Sequence, residues 1–255
     1  MRGSTDDVCG CFPTGRHYPG LAEAIAEVAT ASVVGLAREF AAQAVWATAP
    51  LAVIDFETTG LDPNVDRIIE VGIVTFDGGT LRERHNWLVN PGIPVPEEAR
   101  NVHGITDQEL AAAAPFEEVF AEMISRLAGR MPVAYNADFD RRFLHAEAAR
   151  VAFDHGGEPP PALRDEVSWL DPLVWVRELQ KAEKGKKLTD ACARLGIALE
   201  QAHRAAGDAE AAGRVLLALA PQMPRTYGEL IRIQTQYAAR QDVDIAALWR
   251  SRRGP

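Results

Sequence analysis

Between residues 51 and 57 the chain reads Leu-Ala-Val-Ile-Asp-Phe-Glu, a short apolar run that closes on a Thr-Thr-Gly turn. Such a run, branched and aromatic and bounded by turn residues, forms a buried strand. Side chains two apart on a strand share a face, so Asp55 and Glu57 project together from a segment that is otherwise buried. Two carboxylates so placed repel each other and lose hydration, a cost that a divalent cation offsets. Hard oxygen ligands suit Mg²⁺ or Mn²⁺ rather than zinc. Taken alone, the pair fits equally well an exposed strand end carrying ordinary surface acids.

Around this strand the pattern is α/β. Residues 68–76 and 82–89 read as two more strands separated by the Asp77-Gly78-Gly79 turn, a meander. Residues 116–127 are helical, 132–135 form a short strand, and a helix follows over about 138–151. After a Gly/Pro loop, 168–171 reads as a further strand, with helices near 174–182, 188–195 and 205–219. Strands first, then strand and helix in alternation, predict a mixed sheet flanked by helices. Upstream, Leu21, Ile25, Val28, Leu36 and Phe40 recur at helical spacing, which predicts one amphipathic helix over 21–46, or two broken near Gly35. Residues 1–19 are rich in Gly, Pro and Asp and read as a tail. Pro221 and Pro224 mark the end of the core, and 226–253 reads as a polar helical tail.

Composition narrows the class. With 27 basic and 36 acidic residues among 255, the formal charge is −9, which argues against a protein that coats nucleic acid by bulk attraction. It leaves room for an enzyme that holds nucleic acid locally through metal ions. Three cysteines make no disulfide framework and fit a reducing compartment. Cys9 and Cys11 with His17 lack the fourth ligand and spacing of a metal cluster. No run is long enough to span a membrane and no targeting segment is evident, so a cytoplasmic protein is expected.

Two more constellations carry polar residues in chemically useful positions. In Tyr135-Asn-Ala-Asp-Phe-Asp140-Arg-Arg-Phe143 a strand runs into a helix; Asp138 is the natural N-cap, which leaves Asp140 in the first turn needing another explanation. In His203-Arg-Ala-Ala-Gly-Asp208-Ala a histidine on a loop precedes a helix whose first turn holds an aspartate. Each, read singly, fits ordinary helix-start and surface roles.

Together, the Asp-Phe-Glu-Thr-Thr-Gly-Leu, Asn-Ala-x-Phe-Asp-x-x-Phe-Leu and His-x-x-x-x-Asp-Ala runs resemble the three motifs of the DEDDh exonucleases of the ribonuclease H-like superfamily. Val102-His-Gly-Ile-Thr106 resembles a segment of the branch containing the proofreading epsilon subunit of bacterial replicative DNA polymerase. The resemblance implies a ribonuclease H-like mixed five-stranded sheet over residues 50–220, with helical extensions over 1–49 and 221–255. It implies two divalent ions held by Asp55, Glu57, Asp140 and Asp208, with His203 as general base. It also implies a terminal-nucleotide pocket formed by Thr58, Thr59, Gly60, Leu61, Glu98 and His103. The expected substrate is nucleic acid with a free 3′ end, DNA favoured over RNA, with the flanking helices as candidate docking elements for a polymerase or repair partner.

Departures from the family pattern are local. Tyr135 stands where many relatives carry His, and no Gln-led clamp-binding pentapeptide is present, which argues against the replicative proofreader itself. An exoribonuclease of the RNase T or oligoribonuclease kind would use the same chemistry. A non-catalytic docking module would have lost an essential ligand, whereas all five positions are present. Lys181, Lys184, Lys186 and Lys187, with Arg177, form a local basic patch suited either to guiding phosphates or to a solvated helix end.

Overall fold

The computed structural model describes residues 34–151, 158–199 and 203–253. Its centre is a four-stranded sheet ordered β3-β2-β1-β4, built from β1 (Leu51–Thr58), β2 (Ile68–Asp77), β3 (Thr80–Leu88) and β4 (Met131–Val133). β1 lies inside the sheet, antiparallel to β2 and parallel to β4, which explains why its first four residues are apolar and all buried. β2 and β3 form a hairpin whose Asp77↔Thr80 pair encloses Gly78 and Gly79, both at positive φ. A two-residue loop of that handedness matches the twist of the strands it joins.

Helices cover both faces. Alternate residues of β1 and β2 sort between them: Ala52, Ile54, Phe56, Val71 and Ile73 pack with α3 (Phe116–Leu127) and α4 (Ala137–Arg150) through Phe116, Phe120, Met123, Phe143 and Leu144. On the other face Leu51, Val53, Val74 and Phe76 meet α7 (Ala205–Leu219) through Val215 and Leu216. The same core takes in Trp175 of α5 (Pro172–Leu179), Cys192 of α6 (Leu188–Leu195) and Tyr227 of α8 (Tyr227–Arg253). Two short helices, α1 (Glu97–His103) and α2 (Asp107–Leu110), follow β3.

Two expectations change. The fifth strand expected at 168–171 contracts to a single parallel bridge, Val133↔Leu170. It stops there because Asp171 caps a helix and Pro172, which has no N–H to donate, opens α5. The described part of the expected N-terminal helix, residues 34–46, consists of turns leading to a single 3₁₀ turn at Trp46–Thr48. Beyond its own turn bonds, such as Ala44 N–H to Ala41 O at 2.9 Å, its backbone serves the start of α8: Tyr227 N–H donates to Ala44 O at 2.9 Å and Gly228 N–H to Ala42 O at 2.8 Å. Trp46 Nε1 donates to Pro224 O at 2.7 Å, and Val45 and Thr226 form an antiparallel bridge. Residues 1–33, with Cys9, Cys11 and His17, lie outside the described residues. Among the described residues no helix is long and apolar enough to cross a membrane.

Candidate active site

The sheet face that meets α7 changes character along its length. The cross-strand pairs run Leu51↔Phe76, Val53↔Val74, Asp55↔Gly72 and Glu57↔Glu70. The first two are core; the last two place three carboxylates and a glycine at one end. Gly72 makes room for the start of α7: a Cβ there would lie 2.2 Å from the Ala205 carbonyl carbon. Farther along α7, a Cβ on Gly213 would lie 2.5 Å from the Phe76 ring, so two glycines let this helix close on the strands.

Glu70, fully buried, anchors the helix start. It accepts from Ala205 N–H at 3.0 Å, from Asn86 Nδ2 at 2.8 Å and from Arg204 Nη2 at 2.7 Å. Asn86 Oδ1 takes the next amide, Ala206 N–H, at 3.2 Å. Just before the helix His203 adopts φ 65°, and its N–H donates to Asp208 Oδ2 at 3.0 Å. One ligand atom each from Glu57, His203 and Asp208 lies within 4.8 Å of the others, with the His203 side chain exposed.

From the opposite layer, α4 brings Asp140. Its carboxylate, 3% exposed, accepts from the Phe56 N–H at 3.1 Å, between the two β1 acids. Asp138, expected to cap this helix, is an exposed ion-pair partner of Arg142 at 2.9 Å. The cap comes from far along the chain. Asp171 accepts from Asn136 N–H at 3.0 Å and Ala137 N–H at 3.1 Å, and also from Leu173 N–H at 2.8 Å, so one carboxylate serves the starts of α4 and α5. Asn136 sits at φ 69°, a left-handed conformation that a side-chain-amide residue tolerates. At the other end of α4, fully buried Glu147 pairs with Arg67 Nε at 2.7 Å and accepts from Ile68 N–H at 3.3 Å.

The electrostatics follow from crowding acids where water is scarce. Burial, with Asp140, Asp208, Glu57 and Glu70 nearby, raises the Asp55 carboxyl well above its usual range. Burial and the charges of Asp208 and Glu70 push Glu57 up to about 8, against the opposing pull of Arg204. Asp140 and Asp208 are also raised, chiefly by burial, against the N–H groups of Phe56 and His203. Positive charge entering the cluster favours the ionised form of all four acids. The donor set, carboxylates with one imidazole beside them, is chemically suited to a hard divalent cation.

The loop after β1 is internally bonded. Thr58 Oγ1 donates to Gly60 O at 2.6 Å, Thr59 Oγ1 to Asp66 Oδ1 at 3.2 Å, and Thr59 Oγ1 accepts from Arg67 N–H at 3.0 Å. A Cβ on Gly60 would lie 2.4 Å from the Asp66 carboxylate, so a larger residue there has to displace the side chain that accepts from Thr59 Oγ1 and the Asp62 N–H. Leu61 stands 80% exposed. His103 is buried, and its Nδ1 accepts from Ile105 N–H at 3.0 Å. Burial lowers its pKa, while Glu70 and the Thr58 backbone pull it upward, which places the ring beside the acidic cluster. Glu98 is exposed in the first turn of α1, and among the described residues no hydrogen bond ties it to this group. Tyr135 donates to Lys186 O at 2.6 Å, and burial raises its phenol pKa.

Sequence reasoning missed Glu70, Asn86, Asp171 and Glu147. Glu70 had a signal: it is the lone charge in the apolar stretch Ile68-Ile-Glu-Val-Gly-Ile-Val. Asp171-Pro172 carried the signature of a cap for its own helix; its second service, to α4, is a tertiary contact.

Known proteins resemble this chain in sequence and in fold. The RNase_T family model, described as Exonuclease, matches residues 52–216. A DNA polymerase III PolC-type protein of Thermotoga maritima is 31% identical over 188 residues, 74% of this chain and 13% of the relative. The 3′-5′ exonuclease DinG of Bacillus subtilis is 32% identical over 166 residues, 65% of this chain and 17% of the relative. The chain thus spans less than a fifth of the length of either relative. Among solved structures, Exonuclease X in complex with 5′ overhanging duplex DNA superposes with a TM-score of 0.56 at 23% identity, covering 72% of this chain and 99% of that one. The fold is shared, the family model spans most of the chain, and Asp55, Glu57, Asp140, His203 and Asp208 all fall within the matched region: the chain belongs to the RNase T family of exonucleases.

Proposed function

We propose that this protein is a metal-dependent 3′-5′ exonuclease that removes nucleotides from single-stranded or frayed DNA in proofreading or repair. The observation that carries the reading is the convergence of Asp55, Glu57, Asp140, His203 and Asp208 at the open end of one central strand. Asp55, Glu57, Asp140 and Asp208 would hold two Mg²⁺ or Mn²⁺ ions. When bound, such ions supply Lewis-acid stabilisation of the charge that builds on the phosphoryl group and its leaving oxygen. His203, exposed on the loop whose amide is held by Asp208, accepts the proton of the attacking water, a role imidazole fills well. Thr58, Thr59, Gly60, Leu61, Glu98 and His103 bind the terminal nucleotide, with Leu61 free to pack on its base. Residues 50–220 form the catalytic unit of a cytoplasmic enzyme, while 1–49 and 221–255 serve contacts to a polymerase or repair partner. The name of the DNA polymerase III PolC-type relative and the DNA held by Exonuclease X support DNA as the substrate, and the name of the 3′-5′ exonuclease DinG supports the direction of cleavage.

The test uses matched 5′-labelled DNA and RNA oligomers with Mg²⁺ or Mn²⁺. Stepwise shortening of DNA from the 3′ end, lost in Asp55→Ala, is expected. Undiminished cleavage in Asp55→Ala would sink the site, and faster loss of the RNA would reassign the enzyme to the exoribonucleases.

A further inference from the structure

The only lysines in this sequence fall between positions 181 and 187, and two of them border the acidic cluster. A cleft of about 590 Å³ has His203 and Asp208 on one wall and Arg177, Lys186 and Lys187 on the other. These cations are not equivalent. Lys186 is committed to its own loop, with Nζ donating to Glu183 O at 2.7 Å and to the Gln180 carbonyl. Lys181, outside the cleft, pairs with Glu178 at 2.6 Å. Arg177 and Lys187 have no side-chain hydrogen bond or ion pair among the described residues, although both face the cleft. Arginines elsewhere in the fold, such as Arg67, Arg130, Arg164 and Arg204, each meet a carboxylate.

An enzyme that consumes a strand from its 3′ end has polymer only on the 5′ side of the bond it cuts. Cations that face the cutting site with their hydrogen-bond donors uncommitted, yet lie outside the terminal-nucleotide pocket, therefore meet upstream phosphates. Guanidinium and ammonium groups both suit phosphate oxygens and carry no base preference. We propose that Arg177 and Lys187 bind the backbone phosphates immediately 5′ to the scissile bond, making this cleft a sequence-independent track for the incoming strand. The proposal rests on the 3′-5′ reading above and adds to it the path of the strand.

Counterion release gives the test a number. Each phosphate contact on a single strand contributes about 0.7 to the slope of log affinity against log salt. Binding of a 5′-fluorescein dT10 oligomer is measured by anisotropy between 50 and 200 mM salt, with Asp55→Asn in every protein to stop hydrolysis. Arg177→Gln/Lys187→Gln should lower the slope by about 1.4, so that affinity falls about sevenfold less over this range than in the parent. Arg177→Lys/Lys187→Arg should keep the parental slope, as should Lys184→Gln on the same loop outside the cleft. An unchanged slope in the double glutamine variant, or an equal loss in Lys184→Gln, overturns the track. Wild-type protein with Mg²⁺ is assayed on the same oligomer in parallel. Failure to shorten it would overturn the exonuclease reading, whereas shortening with an unchanged slope removes the track alone.

Discussion

Gly72 decides how close the helix that carries Asp208 comes to the strand that carries Asp55. A methyl group there would lie within 2.4 Å of the Ala205 carbonyl oxygen and the Ala206 nitrogen, both backbone atoms that no rotamer change can move. Gly72→Ala should therefore cost about 1–3 kcal/mol in urea unfolding, the usual range for overpacking. It should also lower exonuclease turnover more than a mutation of equal cost in the α3 core, because the displaced helix start takes His203 and Asp208 with it. A turnover loss no larger than that of the α3 control would refute this placement. His203→Ala should slow single-turnover cleavage by about 10²–10⁴-fold, the usual contribution of a general base, with little change in oligomer affinity. At this scale Asp55 and Glu57 were legible because carboxylates on a buried strand are chemically costly and so stand out, whereas Asp140, Asp208 and His203 read singly as helix-start or surface residues and stood out only through the resemblance of their motifs. Their supports were not legible. Glu70 and Asp171 act on amides 135 and 35 residues away in sequence, and nothing local to either residue announces those partners.

Among the elements, α8 has the least obvious bearing on the site, lying beyond the family match that ends at residue 216. Its buried Gln234 nonetheless accepts from Asp171 N–H at 3.0 Å and Trp175 Nε1 at 3.2 Å, and donates to Trp169 O at 2.8 Å. Asp171 in turn caps α4, the helix that holds Asp140. Gln234→Leu leaves three buried polar groups without this partner and should destabilise the fold by about 2–4 kcal/mol, measured by denaturant unfolding. Because the Asp171 backbone loses its tether, the Mg²⁺ concentration for half-maximal cleavage should rise as well. An unchanged metal requirement would show that α8 supports the fold without reaching the site. The helices at Phe116–Leu127, Leu188–Leu195 and Ala205–Leu219 were readable, since their apolar period is a local feature, and Pro115 and Gly196 mark ends of the first two. The irregular course of residues 34–46 was not. Apolar residues spaced for a helix instead pack one by one, Leu36 and Phe40 against the core shared with α8. Periodicity records which residues want burial without saying that the chain between them coils.

At the scale of the molecule, the net charge of −9 includes the acidic cluster, and pH and metal act on it together. The folded-state pKa of Glu57, about 8 against an ordinary 4.5, means that folding favours its protonated form. The stability it contributes is complete below pH about 4.5 and is lost as pH climbs through about 8. Metal-free protein should therefore melt at lower temperature at pH 8 than at pH 6. Added Mg²⁺ or Mn²⁺ should restore stability more at the higher pH, by about 2.7 kcal/mol per site at a hundred times its dissociation constant. Equal stabilisation at both values would separate metal binding from these carboxylates.

The antiparallel bridge between Val45 and Thr226 has a consequence for how such a unit can be built into larger polypeptides. Residues 37–45 and the start of α8 run against each other there, with Tyr227 N–H on Ala44 O, Gly228 N–H on Ala42 O and Ala37 N–H on the Tyr227 hydroxyl extending the contact. Both segments also reach the core, through Leu36 and Phe40 on one side and Tyr227 and Leu230 on the other, so a larger polypeptide that carries this unit has to keep the pair together, and a cut just outside residues 46–226 would uncover apolar surface.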